Sequence, residues 1–301
     1  MFRLIVTANK LNKRKQIPAA LPDANSIVGV VFKNFEFSAE EVPAASVPNP
    51  ALGKWYKDAD NCFYWGGGVT VVPESGSSSA SKAQLAAPQT IPHDMPLSQS
   101  NCRKCVAWMK QNFENKIIQA VENTPFEKEV IYAIACQETA QRWVLWMDSF
   151  EAVTILQRCV FDASGDFPDT SRSAFPKNKS ELEAQFGHEI TQMLVDEGNK
   201  MRAMPQPGHP QGFSPAGYLY KGYGIFQYDL QFIKDDKNFF VDKLWYSIDE
   251  CLSRAIKELK SKWSKHPNDL FHTVKAYNGG GERAEQYALR VSQFYSWIKA
   301  M

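Results

Sequence analysis

The spacing of apolar residues changes character once along the chain. Up to residue 72 it comes in short extended runs. Phe2–Thr7, Ile27–Val31, Phe35–Phe37, Lys54–Tyr56, Phe63–Trp65 and Val69–Val72 are rich in β-branched and aromatic residues. Asp58–Asn61 (DADN) has the composition of a hairpin turn, and Gly66-Gly67-Gly68 permits a sharp reversal or a bulge. Several short strands in so little chain predict a small β-barrel over 1–72. Over 73–100 the periodicity vanishes and Pro, Ser, Gly and Ala dominate, as in a flexible linker.

From residue 101 the period is helical. Val106, Met109, Phe113, Ile117 and Ala120 form one stripe. Thr124–Arg142 reads as the next helix, with Thr124 as N-cap, Pro125 at the first helical position and Glu127 closing a capping box. A third helix is expected over Met147–Val160, followed by an Asp-, Ser- and Pro-rich loop over Phe161–Lys179. Ser180-x-x-Glu183 and Ser247-x-x-Glu250 are further capping boxes. They open helices with Leu182, Phe186, Ile190 and Leu194, and with Leu252, Ile256, Leu259 and Trp263, turned inward. Pro205–Pro215 breaks the first of these, and Asp269–Tyr277 and Arg283–Lys299 complete the set. The fold class expected is a two-domain α+β chain, with a mostly helical domain over 101–301.

Composition removes some function classes. At 301 residues and 44% hydrophobic, the chain has room for two cores. A net charge of +1 gives no strong field to recruit nucleic acid or anionic membrane. There is no run of 18 apolar residues, so no membrane span is expected. The six cysteines have no regular framework. Cys102-x-x-Cys105 lacks a second ligand pair for zinc and a preceding strand for a redox motif. No cofactor or metal is expected. Leu4-Ile5-Val6 is too short for the apolar core of a secretory signal, and Lys10, Lys13 and Arg14 follow it.

One carboxylate changes the picture. Ile131, Ile134 and Glu138 fall at i, i+3 and i+7, which puts Glu138 on the apolar face of its helix. A buried carboxyl without a cation holds its proton to higher pH, and a general acid needs that proton. The alternative is a residue at the helix rim, solvated or paired with Arg142 at i+4. Two more segments stand out: Gly222-Tyr223-Gly224-Ile225-Phe226-Gln227 and Ala276-Tyr277-Asn278-Gly279-Gly280-Gly281. Taken singly, they are a turn and a helix C-cap.

In their order, the three segments resemble the lysozyme-like superfamily, specifically the lytic transglycosylases and goose-type lysozymes. That family has a catalytic Glu in an ES or ET pair at a helix end, then G-[LI]-[MF]-Q, then AYN-[AG]-G. The counterparts here are Glu138-Thr139, Gly224-Ile225-Phe226-Gln227 and Ala276-Tyr277-Asn278-Gly279-Gly280. The resemblance implies that Glu138 protonates the bond between N-acetylmuramic acid and N-acetylglucosamine in peptidoglycan. It implies that Gln227 lines the cleft, with Tyr223 beside it among the substrate-binding residues. It also implies that Tyr277 hydrogen-bonds the acid and that Asn278 touches sugar. The insertion between Glu138 and Gln227 is longer than in the compact transglycosylases and holds the Asp-rich loop Phe161–Asp169. That loop suits Asx-turns, or a metal, although its glycine falls too early for an EF-hand. An inverting lysozyme needs a second carboxylate about 6.5–9.5 Å from the first, whereas a transglycosylase closes the substrate's own 6-hydroxyl into a 1,6-anhydro product. Asp148, Asp162, Asp166 and Asp229 are candidates for the second carboxylate.

Leu11–Arg14, Ile27–Gly29 and Gly53–Lys57 resemble the bacterial SH3-like family, whose members commonly bind cell-wall peptides. Lys15–Pro18 stands where the family has Ser-Gly-Pro. A spacer barrel without a ligand is the alternative. The chain is thus expected to be a peptidoglycan hydrolase or lytic transglycosylase. The competing expectations are a non-catalytic cell-wall-binding protein and a structural, baseplate-like component. Without a cleavable signal, action in the periplasm would require delivery by a secretion system, as an antibacterial effector, or phage-type lysis. An effector would imply an immunity protein plugging the Glu138 cleft.

Overall fold

The computed structural model describes residues 2–20, 22–33, 35–72 and 82–301. The chain divides into two units, Met1–Ala80 and Ser81–Met301.

The first unit is one antiparallel sheet of seven strands. They are β1 (Phe2–Val6), β2 (Lys10–Arg14), β3 (Ile27–Phe32), β4 (Glu36–Glu41), β5 (Trp55–Asp58), β6 (Phe63–Trp65) and β7 (Val69–Val72). Their order is β3-β2-β6-β5-β4-β1-β7. Leu4 of β1 pairs with Phe37 and with Val71. Alternation then turns Leu4 and Val6 into the core, where Leu4 meets Ala39 and Tyr56, and Val6 meets Leu11 and Tyr64. The DADN turn joins β5 to β6, and Asp58 Oδ1 accepts from the amides of Asp60 and Cys62. Tyr64 donates its hydroxyl to Asp58 Oδ2 at 2.8 Å. Strand β2 escapes a reading by alternation, because Leu11 is its one buried apolar residue and Arg14 is buried on Ser26.

The second unit is mostly helical. It opens with α1 (Gln99–Val121), α2 (Lys128–Glu138), α3 (Ala140–Trp143) and α4 (Ala152–Arg158). The two-residue strand β8 (Val160–Phe161) precedes α5 (Lys179–Phe186) and α6 (His188–Arg202). Strands β9 (Gly222–Tyr223) and β10 (Tyr228–Asp229) pair with β8 in the order β10-β9-β8. Then come α7 (Lys237–Val241), α8 (Ile248–Trp263), α9 (Leu270–Tyr277) and α10 (Gly281–Lys299). Helix α2 is the centre of this unit, with Val130–Cys136 all buried and α10 packed along it. Among the described residues no helix is long and apolar enough to cross a membrane.

Several element ends differ from expectation. Helix α2 starts at Lys128, not after Thr124. The Thr124 hydroxyl accepts from the Phe126 amide and donates to Val121 O, so it closes the turn between α1 and α2. Glu127 is drawn away from a capping box because Tyr295 and Lys299 donate to its carboxylate at 2.5 and 2.9 Å. The helix expected over 147–160 is only Ala152–Arg158. Asn178, rather than Ser180, caps α5, and Gly187 at φ 84° separates α5 from α6. Of the linker expected over 73–100, residues 73–81 lie outside the described residues. Residues 82–100 belong to the helical unit: Leu85 and Leu97 are buried, and Lys82 Nζ donates to Val121 O and Phe126 O at 2.8 and 3.0 Å.

Candidate functional site

Glu138 is the last residue of α2, and Thr139 leaves helical geometry at φ −135°. Thr139 is fully buried and anchors this end. Its hydroxyl donates to Ile225 O at 2.9 Å and accepts from Trp143 Nε1 at 2.9 Å. The first and second sequence segments therefore meet through Thr139 and the Gly224–Gln227 turn. The third joins them from α9, where the Tyr277 hydroxyl donates to Phe226 O at 3.2 Å.

The turn itself is tight. Gly224 lies at φ 79° and Gln227 at φ 53°. Gln227 Nε2 donates to Gly224 O at 2.8 Å, within the turn. A Cβ on Gly222 would come within 2.2 Å of Gln227 Oε1, so the glycine makes room for that side chain.

Glu138 is half-buried, and its hydrogen-bond partner is Tyr287 of α10, whose hydroxyl donates to Oε1 at 2.6 Å. The resemblance implies Tyr277 in that place. Its hydroxyl is taken by Phe226 O instead, although its own proton is held more tightly through burial and the nearby Glu138 charge. Arg142 does not pair with Glu138: its guanidinium donates to Gln206 Oε1 at 3.1 Å. Glu138 has no cationic partner within ion-pair distance among the described residues. Burial pushes its carboxyl up to about 7, the Tyr287 hydrogen bond pulls down, and the negative charge of Glu258 pushes up. Such a group carries a proton near neutrality in a site where a carboxylate would otherwise be ionised.

Two expected binding residues land elsewhere. Tyr223 is wholly buried, with its ring against Phe240 and Trp245 at 5.3 and 4.9 Å between centroids. It is a core residue and presents no surface to a ligand. Asn278 is the exposed C-cap of α9.

The Asp-rich insertion is tied down by its own charges. Asp166 accepts from the buried Lys221 ammonium and, through Oδ1, from the Lys179 amide at 2.9 Å. Burial lowers the pKa of Lys221, and Asp166 opposes that shift. Arg172 donates to Asp229 Oδ1 at 2.5 Å and lies 3.6 Å from Asp162. Asp162, Asp166 and Asp229 thus hold the loop to β9 and β10, while Asp148 is exposed. No group of three or more His, Cys, Asp or Glu that could hold a metal occurs among the described residues.

Sequence reasoning missed Glu258 and Tyr287. Glu258 sits on α8, half-buried, with Lys262 Nζ at 3.6 Å. It lines a cleft of about 560 Å³ with Tyr228, Phe232, Arg254, Lys257 and Lys262. Burial raises its pKa, Lys262 opposes this, and Asp229 adds to it. Neither residue lies in a recognisable motif, so their spacing along the chain carries no signal. No family model, curated protein or solved structure matches this chain.

Proposed function

We propose that the helical unit cleaves the β-1,4 bond between N-acetylmuramic acid and N-acetylglucosamine in peptidoglycan, with Glu138 as general acid. The observation that carries this reading is the Glu138 carboxyl, half-buried at the end of α2, hydrogen-bonded by Tyr287 and raised to about 7. A carboxylic acid in that state gives its proton to the glycosidic oxygen as the C–O bond breaks, and the departing sugar leaves as an alcohol. The Tyr287 hydroxyl orients the carboxyl and then stabilises the carboxylate left behind. The order of the Glu138-Thr139, Gly224–Gln227 and Ala276–Gly280 segments supports assignment to the lysozyme-like superfamily.

In the same reading, the seven-stranded N-terminal unit is an SH3-like barrel that binds cell-wall peptide. The protein acts at peptidoglycan in the periplasm after delivery by a secretion system, and a cognate immunity protein covers the Glu138 site. Zymography on purified cell wall tests the activity. The parent protein is expected to clear the substrate and Glu138→Gln is not. Equal clearing by both would remove Glu138 from the chemistry. No clearing by either would favour a protein that only grips glycan.

A further inference from the structure

The second carboxylate decides whether water or the substrate's own hydroxyl attacks the anomeric carbon. The acidic residues of the insertion are poor candidates. Asp166 is bound to Lys221 and to a backbone amide, and Asp229 to Arg172 and to the Gln231 amide. Asp162 accepts from the Ser164 amide and faces Arg172. A carboxylate that accepts several hydrogen bonds, or faces a guanidinium, is a weak base.

Glu258 is placed differently. Its one ion-pair contact among the described residues is Lys262, at 3.6 Å. It opens into the cleft of about 560 Å³. One wall of that cleft is the stacked pair Tyr228 and Phe232, with centroids 4.8 Å apart and planes within 10°. Rings stacked on each other hide their facing surfaces, so the cleft meets this pair as an apolar wall. Tyr228 directly follows Gln227, so this wall continues the turn to which Thr139 and Tyr277 are bonded. The negative charge of Glu258 also acts on Glu138, Tyr277 and Tyr287.

We propose that Glu258 is the base that activates water beside Glu138, so that this chain hydrolyses glycan rather than forming an anhydro sugar. The proposal rests on the glycan-cleaving reading above. In the step, Glu258 takes one proton from water, and the resulting hydroxide oxygen bonds to the anomeric carbon. The bond from that carbon to the glycosidic oxygen breaks, and its electron pair stays on that oxygen, which takes the proton of Glu138. The two carboxyl groups exchange protonation states and return to their starting forms through solvent. Two carboxylates close together do not both ionise readily, and the Lys262 ammonium favours the charge on Glu258.

The test compares the parent, Glu258→Ala, Glu258→Gln and Glu138→Gln on purified sacculi, with mass spectrometry of the released muropeptides. The parent is expected to release reducing-end muropeptides, and each Glu258 variant to lose about 100-fold or more in rate. Glu258→Gln keeps the side-chain volume and guards against a loss caused by misfolding. Azide is already an anion and needs no base, so it should restore turnover to Glu258→Ala, yielding a glycosyl azide, and should do nothing for Glu138→Gln. Glu258 variants as active as the parent would overturn the proposal while leaving Glu138 in its role. Release of 1,6-anhydro muropeptides by the parent would do the same. A loss in Glu258→Ala that azide does not rescue would also overturn it, by assigning Glu258 a structural part. No release by the parent would overturn this proposal together with the activity itself.

Discussion

Tyr287 donates to Glu138 Oε1 at 2.6 Å across 149 positions of sequence, joining α10 to the end of α2. This bond opposes the upward push of burial on the carboxyl. Tyr287→Phe should therefore raise the pKa of Glu138 further above its value of about 7. A hydrogen bond to a charged group contributes about 1.5–3 kcal/mol, or about one to two pH units. In a pH–rate profile on glycan, the alkaline limb should move up by that amount and the maximum rate should fall. An unmoved alkaline limb would show that another donor holds the carboxyl in solution.

The same carboxyl sets a pH dependence of stability. Its folded-state pKa of about 7 lies above the ordinary 4.5, so the folded state binds this proton more tightly than the unfolded one. The group costs nothing below pH 4.5, costs progressively more up to pH 7, and costs about 3 kcal/mol above that. Glu138→Gln stays neutral throughout. Urea denaturation should find it more stable than the parent at pH 8 and similar to it at pH 4. Glu258 adds a dependence of the same sign in both proteins, so the difference between them isolates Glu138. An equal gap at the two pH values would contradict the assignment.

Thr139→Val keeps the shape of the α2 end and removes its hydroxyl. Ile225 O then loses its donor and Trp143 Nε1 its acceptor, both in a buried setting. Each orphaned group costs about 1–3 kcal/mol. Thermal denaturation should report that loss, and kcat should fall more than KM rises, because the turn carrying Gln227 is no longer fixed to Glu138. Serine at this position should recover most of both.

Lys221→Met leaves the Asp166 carboxylate without its buried partner. Breaking one side of a buried pair costs about 3–5 kcal/mol. Limited proteolysis should then cut within 162–178 faster than in the parent. The double variant with Asp166→Asn should regain part of the protection, since it removes the stranded charge as well.

The α+β architecture was legible in the sequence because its two halves carry different apolar periods. Each expected strand of the N-terminal unit has a counterpart, and β2 stayed hidden because a single leucine marks it. Helix starts were less legible. Thr124 and Ser180 both have the right spacing for a capping box, but tertiary bonds to Glu127 and an earlier asparagine cap decide the matter. At the site, the motif order led to Glu138, Gln227 and Tyr277, which the fold brings together. It did not show which tyrosine bonds Glu138: Tyr277 donates to Phe226 O, and Tyr287 arrives from a helix without any motif. Tyr223, which the resemblance placed among the substrate-binding residues, packs in the core against Phe240 and Trp245. Glu258 was invisible for a simpler reason: glutamate on an amphipathic helix is the commonest of surface residues until a fold turns it toward a cleft.

The bond between Tyr287 and Glu138 also has a consequence for biosynthesis. Residue 138 leaves the ribosome long before residue 287 does. A nascent chain can complete α1 and α2, and even the Thr139 anchor, while the carboxyl still lacks its hydroxyl partner. The site is finished only when α10 has been made and has docked along α2. In the glycan-cleaving reading proposed above, any product terminated before Tyr287 would lack the hydroxyl partner of its general acid for good.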